Sequence, residues 1–88
     1  MCFEWDENKN KSNIEKHGID FEIAKLIFED KKRKTSLDNR KEYGEERFKT
    51  VGKIYGIIMS VVYTYRNAII RIISARKAGE KERDEYNK

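Results

Sequence analysis

The sequence predicts an α+β domain. An N-terminal helical hairpin packs on a mostly antiparallel sheet of three or four strands, and a C-terminal helix follows. Three observations carry this. The stretch Ile57 to Lys77, IIMSVVYTYRNAIIRIISARK, is the most apolar part of a polar chain. It splits at Arg66-Asn67 into two runs rich in Ile, Val and Tyr, the pattern of a β-hairpin. Behind Asp20, the segment FEIAKLIFEDKK sets Ile23, Ala24, Ile27 and Phe28 on one helical stripe, widened by Phe21 and Leu26. The closing AGEKERDEYNK is rich in helix-compatible charge, with Tyr86 its only large apolar side chain.

The elements follow in order. Cys2 to Trp5 alternates and reads as a short first strand. Asp6 N-caps a polar helix through His17, in which Ile14 is the clear apolar residue, and Gly18 is a C-terminal stop. The basic run 31–36, KKRKTS, reads as the solvated end of the second helix. Residues 37–46 are turn-like, with Asp38-Asn39 and Gly44 as punctuation. Arg47 to Ile54 is a strand, and Gly52 and Gly56 flank the next turn. If Arg66-Asn67 is the hairpin loop, paired residue numbers sum to 133. Arg71 and Arg76 then fall on opposite faces, unless a bulge intervenes. The terminal helix has little to hold it down, so it frays or is pinned by charges and a partner.

Composition narrows the function classes. The 88 residues make one domain, 38% hydrophobic and 41% charged, so the core is small and centred on Ile57–Ala75 and one helix. Twenty Lys+Arg against 16 Asp+Glu give a net charge of +4, which suits a polyanionic partner or simply a soluble surface. One cysteine, Cys2, rules out an intrachain disulfide, a Cys/His metal site and a CxxC motif. The N-terminus has no signal-peptide pattern, and the nearly uncharged run from Tyr55 to Tyr65 is too short to span a bilayer. A soluble cytoplasmic protein with no membrane association is expected.

Among chemistries, His17 is the only histidine and sits where a cation favours a helix C-terminus; a two-histidine ribonuclease mechanism is excluded. The carboxylates read as caps and helix ion pairs, so no metal and no other cofactor is expected. There is no GxGxxG, P-loop or GxSxG, and Ser74 lacks a histidine to activate it. What remains is a set of cations, Arg47, Arg66, Arg71, Arg76, Lys77 and Arg83, interleaved with Tyr63, Tyr65 and Tyr86. Guanidinium groups bind phosphates and aromatic rings stack unpaired bases, which fits single-stranded RNA. Metal-free cleavage would use the RNA's own 2′-OH, with Glu82 as base and Arg76 and Arg83 stabilising charge. A phosphate-binding module without catalysis stays open beside it.

Three segments, FEWDENKNKSNIEKHGIDFEIA, DNRKEYGEERFKTVGKIYG and VVYTYRNAIIRIISARKAGEKERDEY, together resemble the BrnT family of bacterial toxins over nearly the whole chain. The resemblance implies a RelE-like fold and an RNA-cleaving toxin of a type II toxin–antitoxin system. It also implies a BrnA-like antitoxin, carrying a DNA-binding domain, that neutralises the toxin and represses the operon, in a heterotetramer built through an antitoxin dimer. The family's ISARKA segment falls on Ile73 to Ala78 and offers Arg76 and Lys77. Its ERxxY ending falls on Glu82, Arg83 and Tyr86, its GExR segment on Gly44, Glu45 and Arg47, and its WDxxK opening on Trp5, Asp6 and Lys9. The expected site therefore has Arg76, Glu82 and Arg83 in catalytic roles. Lys9, Arg47, Arg66, Arg71, Lys77 and Tyr86 would bind RNA. The remaining possibility is an RNA-binding or antitoxin-binding module without catalysis.

Overall fold

In a computed structural model, which describes residues 1–38 and 44–88, the apolar hairpin forms the middle of a five-stranded sheet. Its strands are β1 (Phe3–Glu4), β2 (Lys34–Leu37), β3 (Phe48–Ile54), β4 (Ile57–Arg66) and β5 (Ile69–Lys77). Their order is β1-β5-β4-β3-β2, antiparallel throughout except for the parallel β1–β5 pair. The helices are α1 (Glu7–His17), α2 (Phe21–Ala24), which continues as a 3-10 helix over Lys25–Glu29, and α3 (Glu80–Tyr86). The class is α+β as expected, with more strands. Among the described residues no helix is long and apolar enough to cross a membrane.

Two departures concern the hairpin. The turn is Asn67-Ala68, with φ of 52° and 65°, so Arg66 pairs with Ile69 and the register is displaced from the simplest one. A two-residue loop needs two left-handed residues; Asn tolerates this, whereas Ala68 carries the steric cost of its Cβ. Beyond the turn, Tyr63 faces Ile72 but Val62 faces Ser74, which leaves Ile73 without a partner. This bulge reverses the alternation. Ile70, Ile72 and Ala75 all point into the main core, while Arg71 and Arg76 share the opposite face with Thr64 and Ser60.

The main core lies between the sheet and the N-terminal helices. Phe21, Ala24 and Ile27 are fully buried at every third position. That spacing suits the 3-10 continuation, in which residues i and i+3 eclipse, and it explains why the predicted helix over 21–32 tightens and ends at Glu29. Ile23 of the predicted stripe lies outside it, partly exposed. The segment crosses β3 at Gly52, in mid-strand rather than at a turn, where a Cβ would come within 2.8 Å of Ile27 Cγ1. Tyr63, a candidate for base stacking from sequence, is 2% exposed, packed against Phe28 and Phe48 with its hydroxyl 2.9 Å from Thr50 Oγ1. It is a core residue.

The two N-terminal helices do not form a simple hairpin laid over one face. Asp6 and Asp20 cap them and Gly18 ends α1 in the left-handed region, as the sequence predicts. Yet Ile14 is exposed, and α1 is docked by asparagines instead. Asn13 Nδ2 donates to Ile19 O and Ala75 O, and its Oδ1 accepts from Ala75 N–H, so α1 closes the β5 edge beyond the two-residue β1 ladder. Asn10 accepts from Phe21 N–H and donates to Asp20, joining α1 to α2.

Lys34–Leu37, expected as a helix end and turn, is the edge strand β2. All four of its residues are exposed, so no apolar alternation marks it, and its short lysine-bearing edge discourages pairing with other chains.

Candidate functional site

The sheet face turned away from the main core collects most of the predicted site. Cross-strand partners share a face, so register alone places Lys49, Ser60, Val62, Thr64, Arg66, Arg71, Ser74 and Arg76 there. Helix α3 packs over the β3 end of this face, where Tyr86 and Ala78 meet Val51 and Ile58 in a second, smaller core.

The tightest constellation joins Arg76, Glu82 and Lys49. Arg76 clasps Glu82 with two guanidinium nitrogens, at 2.7 and 3.0 Å, and Lys49 Nζ reaches Glu82 Oε2 at 2.9 Å. Glu82 is the third residue of α3 and also accepts from Gly79 N–H at 3.0 Å, so the helix start fixes its carboxylate. Burial alone would raise its pKa. The hydrogen bonds from Arg76, Gly79 and Lys49 outweigh burial and hold it at about 2. Beneath α3, opposite Arg76, Ser60 Oγ is buried with no hydrogen-bond partner among the described residues.

The other predicted residues divide by location. Arg71 is on the same face, 2.9 Å from Glu4 of β1. Arg66, at the hairpin end, and Arg47 flank Glu45, at 3.2 and 3.8 Å. Arg83 is exposed and turns Nη1 to Ala78 O at 2.8 Å, bracing the β5–α3 connection. Tyr86 is buried and donates to Asp30 Oδ2 at 2.6 Å, which, with burial and the Asp30 charge, pushes its phenol up to about 12. Its ring packs rather than stacks on a ligand. Lys77 is opposite Met59, on the helix-bearing side, and Lys9 lies on α1. The sheet face and α3 thus carry seven of the nine predicted residues, but of these only Arg76 and Glu82 are in direct contact. Arg66 and Arg47 lie toward the hairpin end, and Lys9 and Lys77 stand apart. Asn39 to Tyr43, part of the predicted turn, lie outside the described residues.

Lys49 was not among the sequence candidates. The signal for it was the two-residue spacing of Arg47, Lys49, Val51 and Lys53 in RFKTVGKI, which sends alternate cations to one face. Of the two expectations for α3, fraying or pinning by charges, the contacts of Glu82 with Arg76 and Lys49 are of the second kind, and Tyr86 adds a buried anchor. Besides Glu82 and Tyr86, the carbonyl of Glu85 accepts from Lys34 Nζ at 2.6 Å.

The arrangement can bind a tetrahedral anion. A bidentate guanidinium and an ammonium converge on one carboxylate, in the geometry a phosphate would use. Among the described residues no three of His, Cys, Asp and Glu converge as metal ligands. The family profile described as "Ribonuclease toxin, BrnT, of type II toxin-antitoxin system" matches residues 5–82, from Trp5 to Glu82. The chain belongs to the BrnT family. Membership identifies a ribonuclease toxin, with RNA as its target and an antitoxin protein as its partner. The match runs through β5 to Glu82, so the Arg76–Glu82–Lys49 constellation lies within the BrnT region. Among curated proteins no individual relative matches the chain.

Proposed function

We propose that this BrnT-family chain is a metal-independent endoribonuclease that cleaves RNA through its 2′-OH, with Arg76, Lys49 and Glu82 at its centre. The observation that carries the proposal is the clasp itself: one carboxylate occupies the position where two cations from β3 and β5 converge. A scissile phosphate competes for Arg76 and Lys49. As they turn to it, Glu82 loses the donors that depress its pKa and regains the basicity needed to take the 2′-OH proton. The 2′-oxygen attacks phosphorus, Arg76 and Arg83 stabilise the phosphorane charge, and the 5′-oxygen departs with a proton from the Lys49 ammonium. A 2′,3′-cyclic phosphate and a 5′-OH result. The supply of positive charge by side chains supports a reaction that needs no ion.

Arg71, Arg66 and Arg47 extend the cationic face and would hold flanking phosphates, each exchanging its present carboxylate partner for one. The antitoxin is proposed to be BrnA-like, joined in a heterotetramer through its own dimer, and to act by covering this face. The decisive experiment incubates the protein with labelled single-stranded RNA in excess EDTA. Cleavage by wild type, lost by at least a hundredfold in Arg76→Ala, is expected on the scale of removing one transition-state charge contact, about 3 kcal/mol. Full retention of activity by Arg76→Ala, or inhibition by EDTA, would overturn it. RNA retained but recovered intact would indicate binding without catalysis.

A further inference from the structure

On the second sheet face Arg47, Arg66, Arg71, Arg76 and Lys49 each have a carboxylate beside them. One groove elsewhere has cations and no carboxylate. It runs along the outer edge of β5, with a volume of about 260 Å³, between α1 and the bulge. Lys9, Ser12, Lys16 and His17 line it from α1, and Ile73 and Ser74 from β5. Among the described residues, the Lys9, Lys16 and His17 side chains have no ion pair.

The groove follows from how α1 docks. Lys9, Ser12 and Lys16 recur at helical spacing and form one stripe with Asn13. Asn13 is tied to both backbone groups of Ala75, so the whole stripe faces β5. Lys9 and Lys16, both exposed, thereby line the same strand edge, and neither side chain has an ion-pair partner among the described residues. An anion in the groove would supply the missing partner, and Ser12 and Ser74 line the same groove with hydroxyl donors. Ser74, which lines the groove, also lies between Arg71 and Arg76 on β5, so the groove adjoins the sheet face that carries them.

We propose that this groove binds a phosphodiester of the same RNA strand, flanking the linkage cleaved at Arg76. This rests on the RNA-cleaving reading above. A strand crossing Arg71 and Arg76 leaves the sheet at Ser74 and meets Lys9 and Lys16 at the edge. Such backbone contacts position the strand and carry no base preference.

The test measures binding of the full chain to a long 2′-O-methyl oligouridine, which cannot be cleaved, and to the corresponding dinucleotide. In Lys9→Ala/Lys16→Ala, affinity for the long strand should fall roughly tenfold. The slope of log affinity on log salt should drop by about 0.7, the value for one lost phosphate contact on a single strand. The dinucleotide, with one phosphate, should lose much less, and Lys9→Arg/Lys16→Arg should restore the long-strand slope. Lys11→Ala/Lys31→Ala removes the same charge outside the groove and should change little; an equal loss there would reduce the effect to bulk charge and overturn the proposal. Equal losses on both ligands would place the lysines at the cleaved phosphate instead. Loss of antitoxin binding with RNA binding intact would make the groove a protein contact. If wild type cleaves RNA while the groove variant binds it normally, only this inference fails. If wild type neither binds nor cleaves, both readings fall.

Discussion

Glu82 accepts four hydrogen bonds from Arg76, Lys49 and Gly79, and these bonds make a stability prediction with a definite sign. Its ordinary pKa is 4.5, and the folded value is about 2. Below 4.5 the unfolded chain takes up a proton that the folded chain refuses, so the contribution is full above that pH and is lost as pH falls toward 2. After solvent screening it is on the order of 1–2 kcal/mol. Urea unfolding of wild type and Glu82→Gln should therefore differ by this amount at pH 6 and converge near pH 2. A difference that stays constant across the range would show that the clasp contributes no proton linkage. The same residue shows how a site can be half legible. ERxxY made Glu82 and Arg83 candidates, but that Glu82 meets Lys49, distant in sequence, depended on how α3 lies across β3.

At the scale of elements, the β4–β5 hairpin illustrates how a small local choice determines a face. Asn67-Ala68 needs two left-handed residues, and Ala68 is the unsuited one. Ala68→Gly should stabilise the fold by about 0.5–1 kcal/mol, net of the extra entropy glycine gives the unfolded chain. Thermal unfolding should shift upward by a few degrees. An unchanged or lower midpoint would mean that the turn does not hold this geometry in solution. The bulge at Ile73 then sets which arginines cooperate. Without it Arg76 would face the helices; with it Arg76 joins Arg71, and Ala75 presents its backbone to Asn13. A single unpaired residue thus aligns the cations of β5 and docks α1.

At the scale of the whole molecule, Asp30 ties the parts together. Its carboxylate accepts from Lys32 N–H, Lys53 N–H and the Tyr86 hydroxyl, joining the end of the 3-10 helix to β3 and to α3. Burial would raise its pKa, but these bonds prevail and lower it. Tyr86→Phe removes one hydrogen bond to a charged acceptor and should cost about 1–2 kcal/mol. Amide-exchange protection should fall more in α3 than in β4 and β5. Uniform loss across all elements would mean that α3 unfolds only with the rest. Because α3 carries Glu82, the same variant tests whether this distant latch keeps the clasp closed.

The sequence by itself determined the α+β class, the apolar hairpin, both aspartate caps, the Gly18 stop and, through the resemblance to the BrnT family, the identity of the toxin. These are signals of neighbouring residues: alternation, helical spacing, capping chemistry and motifs. Edge strand β2 was not legible, because a fully exposed strand has no apolar period. Nor was the docking of α1, since a pair of buried asparagines looks like surface until Ala75 supplies the partner of Asn13, and Phe21 and Asp20 those of Asn10. Tyr63 looked available to RNA because an aromatic residue beside arginines carries no mark of which face it occupies. Only the tertiary structure decided that Arg71 and Arg76 share a face, that Lys49 meets Glu82, and that Lys9 and Lys16 overlook the same strand edge. Each depends on register, and a one-residue bulge is enough to turn every following side chain to the opposite face.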